Sequence, residues 1–217
     1  MASGHQISAC SGTNSETITI NTPTAVIDWT PQDTNSGTTA IDFLPANKTV
    51  TYENDVENLG GYTVLNRILP GGDAAGRGIA LNGTIVSNLL DENGEVIGPG
   101  GNIWFYSPGG LLIGNTARFD VGSLVLSTVP IGFQNSSATT GLVSTGSATA
   151  GSSVRIDESD SGRGVFADNY VGVLAPRIEQ AGSVNAGGSV AYIAAEAANL
   201  NFNNGLFDIT VSTGSII

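Results

Sequence analysis

The sequence is poor in the residues from which most metal sites and many catalytic sites are built. It contains one cysteine, Cys10, and one histidine, His5, in 217 residues. A single cysteine excludes an internal disulfide, and one cysteine with one histidine cannot form a zinc site of the usual Cys/His type. Because the only histidine lies in a Ser/Gly-rich start, a triad with histidine as base is not expected. We therefore expect no metal and no other cofactor.

Positive charge is also scarce. Seven Lys and Arg stand against nineteen Asp and Glu, which gives a formal net charge of −12. Nucleic acids and anionic membranes are bound through clustered positive charge. The basic residues are instead scattered singly along the chain: Lys48, Arg67, Arg77, Arg118, Arg155, Arg163 and Arg177. No nucleic-acid partner is expected.

Long hydrophobic runs are absent as well. No apolar stretch approaches the roughly 18 residues of a membrane-spanning helix, so membrane insertion is not expected. The first residues, MASGHQISACSG, lack the basic and hydrophobic regions of a signal peptide. The scarcity of cysteine and lysine nonetheless suits an extracellular bacterial protein.

Short strands with period-two alternation dominate what is present. Glycine is 30 of 217 residues, about twice the usual share of roughly 7%, which indicates many turns. Apolar residues alternate with polar ones at Ile18 and Ile20, Val50 and Tyr52, Ile79 and Leu81, Ile103 and Phe105, and Phe119 and Val121. The one helix-like run, AYIAAEAANL (191–200), continues the alternation of Val190, Tyr192 and Ala194, so we interpret it as strand.

The spacing of these strands favours a right-handed parallel β-helix. Val171 and Val190 open similar units about twenty residues apart, each with short strands and Gly/Asn corners, and stacked coils have such a period. A β-sandwich would more often show tight hairpins, and only three Asn-Gly pairs occur. We predict an all-β fold with a flexible lead-in (1–15) and one β-helix domain (16–217). The domain divides into a motif-bearing part with a cap (16–130) and regular coils (131–217).

Two groups of residues suggest chemistry of their own. The acids Asp157, Glu158, Asp160 and Asp168 could serve glycosidic acid/base catalysis or hold Ca²⁺, but their spacing does not fit the usual calcium loop and a solvated loop is favoured. The aromatic residues could form a sugar platform: Trp29, Trp104, Phe105, Tyr106 and Phe119. Packing is favoured for these, with one pair of the NIWFY run in the core and the other facing outward or under a covering hairpin.

The stretch GGNIWFYSPGGLLIG (100–114) predicts a tight turn between two strands. Proline fixes φ and the glycines permit positive φ, so Ser107-Pro108-Gly109-Gly110 can reverse the chain and return Leu111 to the core.

An ordered series of motifs resembles the amino-terminal secretion domain of two-partner-secretion exoproteins, the filamentous haemagglutinin family. The series is TITINTPTAVIDW (17–29), AIDFLP (40–45), TVLNRI (63–68), LNGTIVSN (81–88), NIWFY, SPGGL, LIG and NTARFDVGSLVLST (102–128), followed by GGSVAYIAAEAANLNFNNG (187–205). It covers about nine-tenths of the chain. SPGGL replaces the family motif NPNGI, and NDVENLGG (54–61) stands near the place of a second family motif, NPNL. With these two departures the sequence is similar to a divergent, alphaproteobacterial-like subgroup of the family.

The resemblance implies a β-helix with amino-terminal capping strands and small extra-helical hairpins, and a role in export rather than an enzymatic one. Such a domain of a large adhesin or haemagglutinin-like protein passes unfolded through the periplasm, binds the periplasmic domains of a dedicated outer-membrane β-barrel transporter, and folds at the cell surface. The matching positions for transporter recognition are Ser107, Pro108, Gly109, Gly110 and Leu111, with Asn66 and Arg67.

Two alternatives stay open. One is a polysaccharide-active β-helix lyase or hydrolase, which predicts acids with Arg or Lys on one face of consecutive coils. The other is a structural or adhesive module that binds host-cell or environmental glycans.

Overall fold

The structure is a computed structural model that describes residues 5–8, 14–31, 40–57, 60–134, 141–203 and 206–214. Within these ranges the elements are β-strands and one short 3₁₀ turn, Gly72–Ala74. The strands are β1 (His5–Ser8), β2 (Ser15–Ile20), β3 (Thr24–Trp29), β4 (Ile41–Leu44), β5 (Thr49–Asn54), β6 (Thr63–Ile68), β7 (Ile79–Leu81), β8 (Thr84–Leu90), β9 (Val96–Pro99), β10 (Asn102–Tyr106), β11 (Leu111–Ile113), β12 (Arg118–Val121), β13 (Ser123–Ser127), β14 (Ile131–Phe133), β15 (Gly141–Ser144), β16 (Ser153–Ile156), β17 (Gly164–Ala167), β18 (Val171–Ala175), β19 (Arg177–Gln180), β20 (Val184–Ala186), β21 (Val190–Asn203) and β22 (Leu206–Gly214). None of the described elements is a helix long and apolar enough to cross a membrane.

Three parallel sheets wind into a β-helix. The first sheet contains β2, β5, β8, β12, β17 and β20, the second β3, β6, β10, β13, β18 and β21, and the third β4, β7, β11, β16 and β19. One strand from each sheet makes a coil. Coil 1 is β2, β3 and β4, coil 2 is β5, β6 and β7, and coil 3 is β8, β10 and β11. Coil 4 is β12, β13 and β16, coil 5 is β17, β18 and β19, and coil 6 consists of β20 and β21. Residues of successive coils stand in register, as where Val171 of β18 pairs with Val190 of β21, nineteen residues later. The predicted β-helix and its spacing near twenty residues are confirmed.

Side-chain alternation fills the interior of the coils. In the second sheet, successive interior positions are held by Ala25, Val64, Ile103, Leu124 and Val171. Nine of the ten residues predicted by alternation lie buried in this interior core: Ile18, Ile20, Tyr52, Ile79, Leu81, Ile103, Phe105, Phe119 and Val121. The tenth, Val50, is partly buried and packs against the core. Each stacked coil adds apolar surface to one continuous core, which stabilises its neighbours.

A second, outer core lies between the β-helix and an antiparallel covering sheet. The covering sheet consists of β14, β15, the second half of β21, and β22. It packs on outward-facing residues of the second sheet, among them Leu65, Trp104 and Val125. Trp104 is fully buried there, with its ring 5.1 Å from that of Phe133. Residues 191–200 are strand, as predicted. Ile103 and Phe105 lie in the interior core, and Trp104 and the partly buried Tyr106 lie on the outward face, so the predicted division of NIWFY into a core pair and an outward or covered pair is confirmed.

The chain departs from a plain stack of coils at both ends. His5–Ser8, inside the predicted lead-in, form β1 antiparallel to β2, because the regular run of β2 offers an edge with free backbone groups. The other residues of 1–13 lie outside the described part. The stretch 131–217 holds β16 of coil 4 and the strands of coils 5 and 6, but also β14, β15 and β22, which lie outside the coils.

A hairpin, β8–β9, projects from coil 3. Its turn is closed by Asp91, whose carboxylate accepts the backbone N–H groups of Asn93 at 2.8 Å and Glu95 at 2.9 Å. Gly94 supplies the left-handed conformation, with φ of +81°.

Candidate functional site

The SPGG segment forms the predicted tight turn between β10 and β11. The N–H of Ser107 donates to the carbonyl of Ser127 at 3.1 Å, and the N–H of Gly110 closes the turn on the Ser107 carbonyl at 3.4 Å. The Gly110 carbonyl accepts from the N–H of Ile79 at 3.0 Å. Leu111 is 2% exposed and packs in the interior core. The turn thus returns the chain to the core and is bonded to the coils on both sides.

Both glycines of the turn lie where a neighbouring coil approaches closely. A Cβ on Gly109 would lie 2.2 Å from the carbonyl oxygen of Arg77 in coil 2, a distance that only a backbone shift could relieve. Gly110 has φ of +119°, and its Cβ would meet the carbonyl oxygen of Ser153 in coil 4 at 3.1 Å. The turn is therefore enclosed between the corners of two neighbouring coils.

Ser107 and Pro108 differ in their burial. Ser107 is fully buried, and its Oγ has no hydrogen-bond partner among the described residues. Pro108 is partly exposed. The hydroxyl of Ser107 therefore does not hold this corner together, whereas its backbone groups do.

Asn66 lies inside the β-helix, fully buried, as a polar residue in an apolar interior. Its Oδ1 accepts from the indole Nε1–H of Trp29 at 3.0 Å and from the hydroxyl of Tyr52 at 2.9 Å. Its Nδ2 donates to the carbonyl of Trp104 at 3.3 Å. One side chain thus connects the first three coils.

Arg67 faces the opposite way, toward solvent. Its guanidinium makes a two-fold contact with the carboxylate of Asp28, with both N–O distances at 2.6 Å. The hydrogen bonds from Arg67 lower the pKa of Asp28, and those with Asp28 raise the pKa of Arg67. Both side chains are about half exposed, so the pair contributes little to stability.

The structure places these residues next to one another in two paired strands. Asn66 stands beside Phe105 and Arg67 beside Tyr106, directly before the turn. The predicted recognition residues therefore form one neighbourhood in the fold, and only Arg67, Pro108 and Gly109 reach its surface.

The acidic segment is an ordered corner. Asp157 pairs with Arg155 at 2.6 Å, and Asp160 accepts from the side chain of Asn115 at 3.2 Å. No group of three or more His, Cys, Asp or Glu in the described chain is arranged to hold a metal ion.

The aromatic residues are used mainly for packing. Trp104, Phe105 and Phe119 are buried in the two cores. Trp29 is partly exposed, stands edge-on to Phe43 at 5.7 Å, and lines a cavity of about 400 Å³ with Phe43 and Tyr52. A sugar platform on Trp104 is therefore ruled out in the folded state.

Comparison with solved structures finds the crystal structure of the HMW1 secretion domain from Haemophilus influenzae, with a TM-score of 0.59. The two chains share the β-helix fold. Sequence identity is 15%, and the match covers 99% of this chain and 48% of the other, so the present chain spans about half the length of the chain it matches. No protein-family model matches the sequence, and no curated protein sequence matches it.

Two features of this site were missed in the sequence. The first is the pair of side chains that bond to Asn66, namely Trp29 and Tyr52. The signal for it in the sequence was Asn66 itself, an asparagine at an inward position of the otherwise apolar alternation in TVLNRI. Ser87 is a second such residue: its Oγ donates to the Gly101 carbonyl at 2.8 Å and accepts from the N–H of Gly122 at 3.1 Å. Trp29 and Trp104 lie on coils other than that of Asn66, and Gly122 lies on a coil other than that of Ser87, so spacing along the chain does not reveal these partners.

Proposed function

We propose that the chain is the amino-terminal secretion domain of a large bacterial surface or secreted exoprotein, exported through a dedicated outer-membrane β-barrel transporter. The observation that carries the proposal is the β-helix with extra-helical strands, which is similar over 99% of the chain to a secretion domain. The ordered motif series from TITINTPTAVIDW to NTARFDVGSLVLST supports it independently, because it rests on residues rather than on shape. In this proposal the domain is not an enzyme.

Recognition by the periplasmic domains of the transporter takes place before the coils are stacked. In the folded protein both edges of β10 are occupied, by β6 and by β13. The turn that follows is enclosed by Arg77 and Ser153, and Ser107 is fully buried. The extended chain, by contrast, offers the segment 102–113 for strand addition, in which main-chain hydrogen bonds supply affinity and alternate side chains supply selectivity.

Folding outside the cell then opposes return through the pore. Each coil that stacks buries aliphatic residues of the interior core, and the covering sheet adds a second core. Both steps remove apolar surface from water and are favourable once the chain has emerged. The exoprotein is thereby placed at the cell surface or released.

Export with and without the transporter tests the proposal. The chain, preceded by a signal peptide and followed by a reporter, should appear at the surface only in the strain that produces the cognate transporter. Gly110→Val combined with Pro108→Ala should block export, whereas Asp160→Asn should not. Equal surface appearance in both strains would defeat the proposal.

A binding measurement separates recognition from folding, since Gly110→Val also disturbs the fold. A synthetic peptide of residues 102–113 should bind the purified periplasmic domains of the transporter, and a scrambled peptide of the same composition should not. The peptide cannot form a coil, so a difference reports on recognition alone. If export depends on the transporter but the peptide does not bind, SPGGL is not part of the recognised segment, and the secretion role still holds.

A polysaccharide-active enzyme is the second candidate, and one observation favours it. Arg155 with Asp157 and Arg177 with Glu179 lie on consecutive coils of the third sheet, where Arg155 stands beside Glu179. A polysaccharide-active β-helix enzyme is expected to carry acids and arginines on one face of consecutive coils. Turnover of pectin or alginate by the purified domain, abolished by Asp157→Asn, would establish it in place of the secretion role.

A further inference from the structure

The β8–β9 hairpin carries the most exposed large hydrophobic side chains of the described chain. Val96 is 58% exposed and Ile97 66% exposed, on a strand whose described pairing partner is β8 alone. Val56, from the loop after β5, is 41% exposed, and its Cγ1 lies 3.9 Å from the position of a Cβ on Gly94 in the hairpin turn. The loop after β5 thus lies against the turn of the hairpin, and the two form one surface.

A groove of about 330 Å³ runs along this surface. It is lined by Leu89, Leu90, Asp91, Glu92 and Ile97 on the hairpin and by Gly60 on the loop. The amide of Asn54, on β5, holds the hairpin wall of the groove: its Oδ1 accepts the N–H of Leu90 at 2.6 Å, and its Nδ2 donates to the Leu90 carbonyl at 3.2 Å. The groove is therefore supported by fixed backbone.

The two charged residues that line the groove, Asp91 and Glu92, are both acidic, and so are the charged residues of the segments that form it. Segments 53–61 and 87–99 contain the carboxylates Glu53, Asp55, Glu57, Asp91, Glu92 and Glu95 and neither lysine nor arginine. Glu92 and Glu95 are exposed beside the apolar residues. An apolar groove with an acidic rim is complementary to aliphatic side chains flanked by cations, and it repels acidic segments such as those of the protein's own surface.

We propose that the groove formed by Gly60, Leu89, Leu90 and Ile97 binds a basic, extended segment of a partner protein. An aliphatic side chain of that segment enters the groove against Ile97, and its neighbouring Lys or Arg residues face Glu92 and Glu95. This contact belongs to the folded domain and does not depend on the proposed secretion role.

The test uses a fluorescent synthetic peptide of alternating isoleucine and lysine, with a counterpart in which glutamate replaces each lysine. Anisotropy titration should show binding of the lysine peptide alone, and the affinity should fall as salt rises. Val96→Ser with Ile97→Ser should weaken binding about tenfold or more, because apolar contact is lost. Glu92→Gln with Glu95→Gln should weaken binding and flatten its salt dependence.

The matched control removes exposed apolar residues from another surface. Ile209→Ser with Val211→Ser, on β22, should leave peptide affinity unchanged, since these residues are similarly exposed, at 43% and 52%. Thermal melting of each variant checks that the fold is kept. Absence of binding, or equal loss of affinity in the hairpin variant and the β22 variant, would overturn the proposal.

Discussion

Asn66 illustrates how a single polar side chain can unite several coils. Its amide satisfies the indole N–H of Trp29, the hydroxyl of Tyr52 and the carbonyl of Trp104, each from a different coil. Burial of a polar group is unfavourable unless its hydrogen bonds are made, so the arrangement is specific as well as stabilising. Arg67, the next residue, faces solvent and is held only by an exposed ion pair. Adjacent positions of one strand therefore have opposite roles.

Replacement of Asn66 should destabilise the domain strongly. Asn66→Ala leaves two buried or partly buried donors without an acceptor, and we expect the free energy of unfolding to fall by about 2–4 kcal/mol. Tyr52→Phe removes one donor and leaves the amide bonded to Trp29, so a loss of about 1 kcal/mol is expected. Urea titration followed by circular dichroism measures both. Similar midpoints for Asn66→Ala and the parent protein would contradict this account.

At the scale of elements, the turn between β10 and β11 shows why its glycines are needed. Parallel strands in register bring the corners of successive coils into backbone contact, and at Gly109 this contact leaves no space for a Cβ. The need for glycine thus arises from stacking rather than from the turn alone. The covering sheet has a similar cause, since it buries the outward face of the second sheet that Leu65, Trp104 and Val125 would otherwise expose.

Alanine at Gly109 should be more harmful than alanine at a glycine with open space. Gly109→Ala places a methyl group against the Arg77 backbone, and we expect a loss of about 2–4 kcal/mol in the free energy of unfolding. Gly61 has no atom within 4 Å of its Cβ position. Gly61→Ala should therefore change stability by about 0.5 kcal/mol or less. Urea titrations of the two variants compare them, and equal stability would show that the corners do not constrain Gly109.

At the scale of the whole molecule, the interior core and the outer core lie on opposite faces of the second sheet. The second sheet faces the interior core with one set of side chains and, in its middle, the outer core with the other, so β13 and β18 are buried along their whole length. Three tyrosines are enclosed by this arrangement. Burial raises the pKa of Tyr52, of Tyr62 and of Tyr170 above the usual tyrosine value.

These tyrosines should make the domain sensitive to alkali. In the unfolded chain a tyrosine loses its proton near pH 10, whereas the folded protein retains it at higher pH. Above about pH 10 the unfolded state therefore binds fewer protons, and stability should fall by about 1.4 kcal/mol per pH unit for each buried tyrosine. Below that pH this contribution is fully present.

Urea midpoints measured between about pH 8 and pH 11 test this dependence. Tyr170→Phe should reduce the slope, because it removes one of the buried hydroxyls. Tyr192→Phe serves as the control, since Tyr192 is 44% exposed and most of the slope should remain. A stability that does not change with pH over this range would contradict the burial of the three hydroxyls.

The amino-acid sequence by itself determined the strands, the inward positions and the coil period. Alternation identified Ile18, Ile103 and Phe119 as core, because the side-chain period of a strand is two wherever the strand lies. Proline and glycine identified the turn at Ser107–Gly110 because they act through local backbone geometry. The recognition role of SPGGL, Asn66 and Arg67 stays a prediction.

Only the tertiary structure decided what the outward-facing residues contact. Nothing in the spacing of Trp104 shows that β22, a hundred residues later, belongs to the sheet that covers it, nor that Asn66 bonds to Trp29 and Tyr52. These contacts depend on which coils are neighbours and on where a strand such as β21 leaves the stack. The same holds for the β8–β9 hairpin, whose apolar residues stay exposed because no described element covers them. Local periodicity fixes the face on which a side chain lies, and long-range packing fixes its partner.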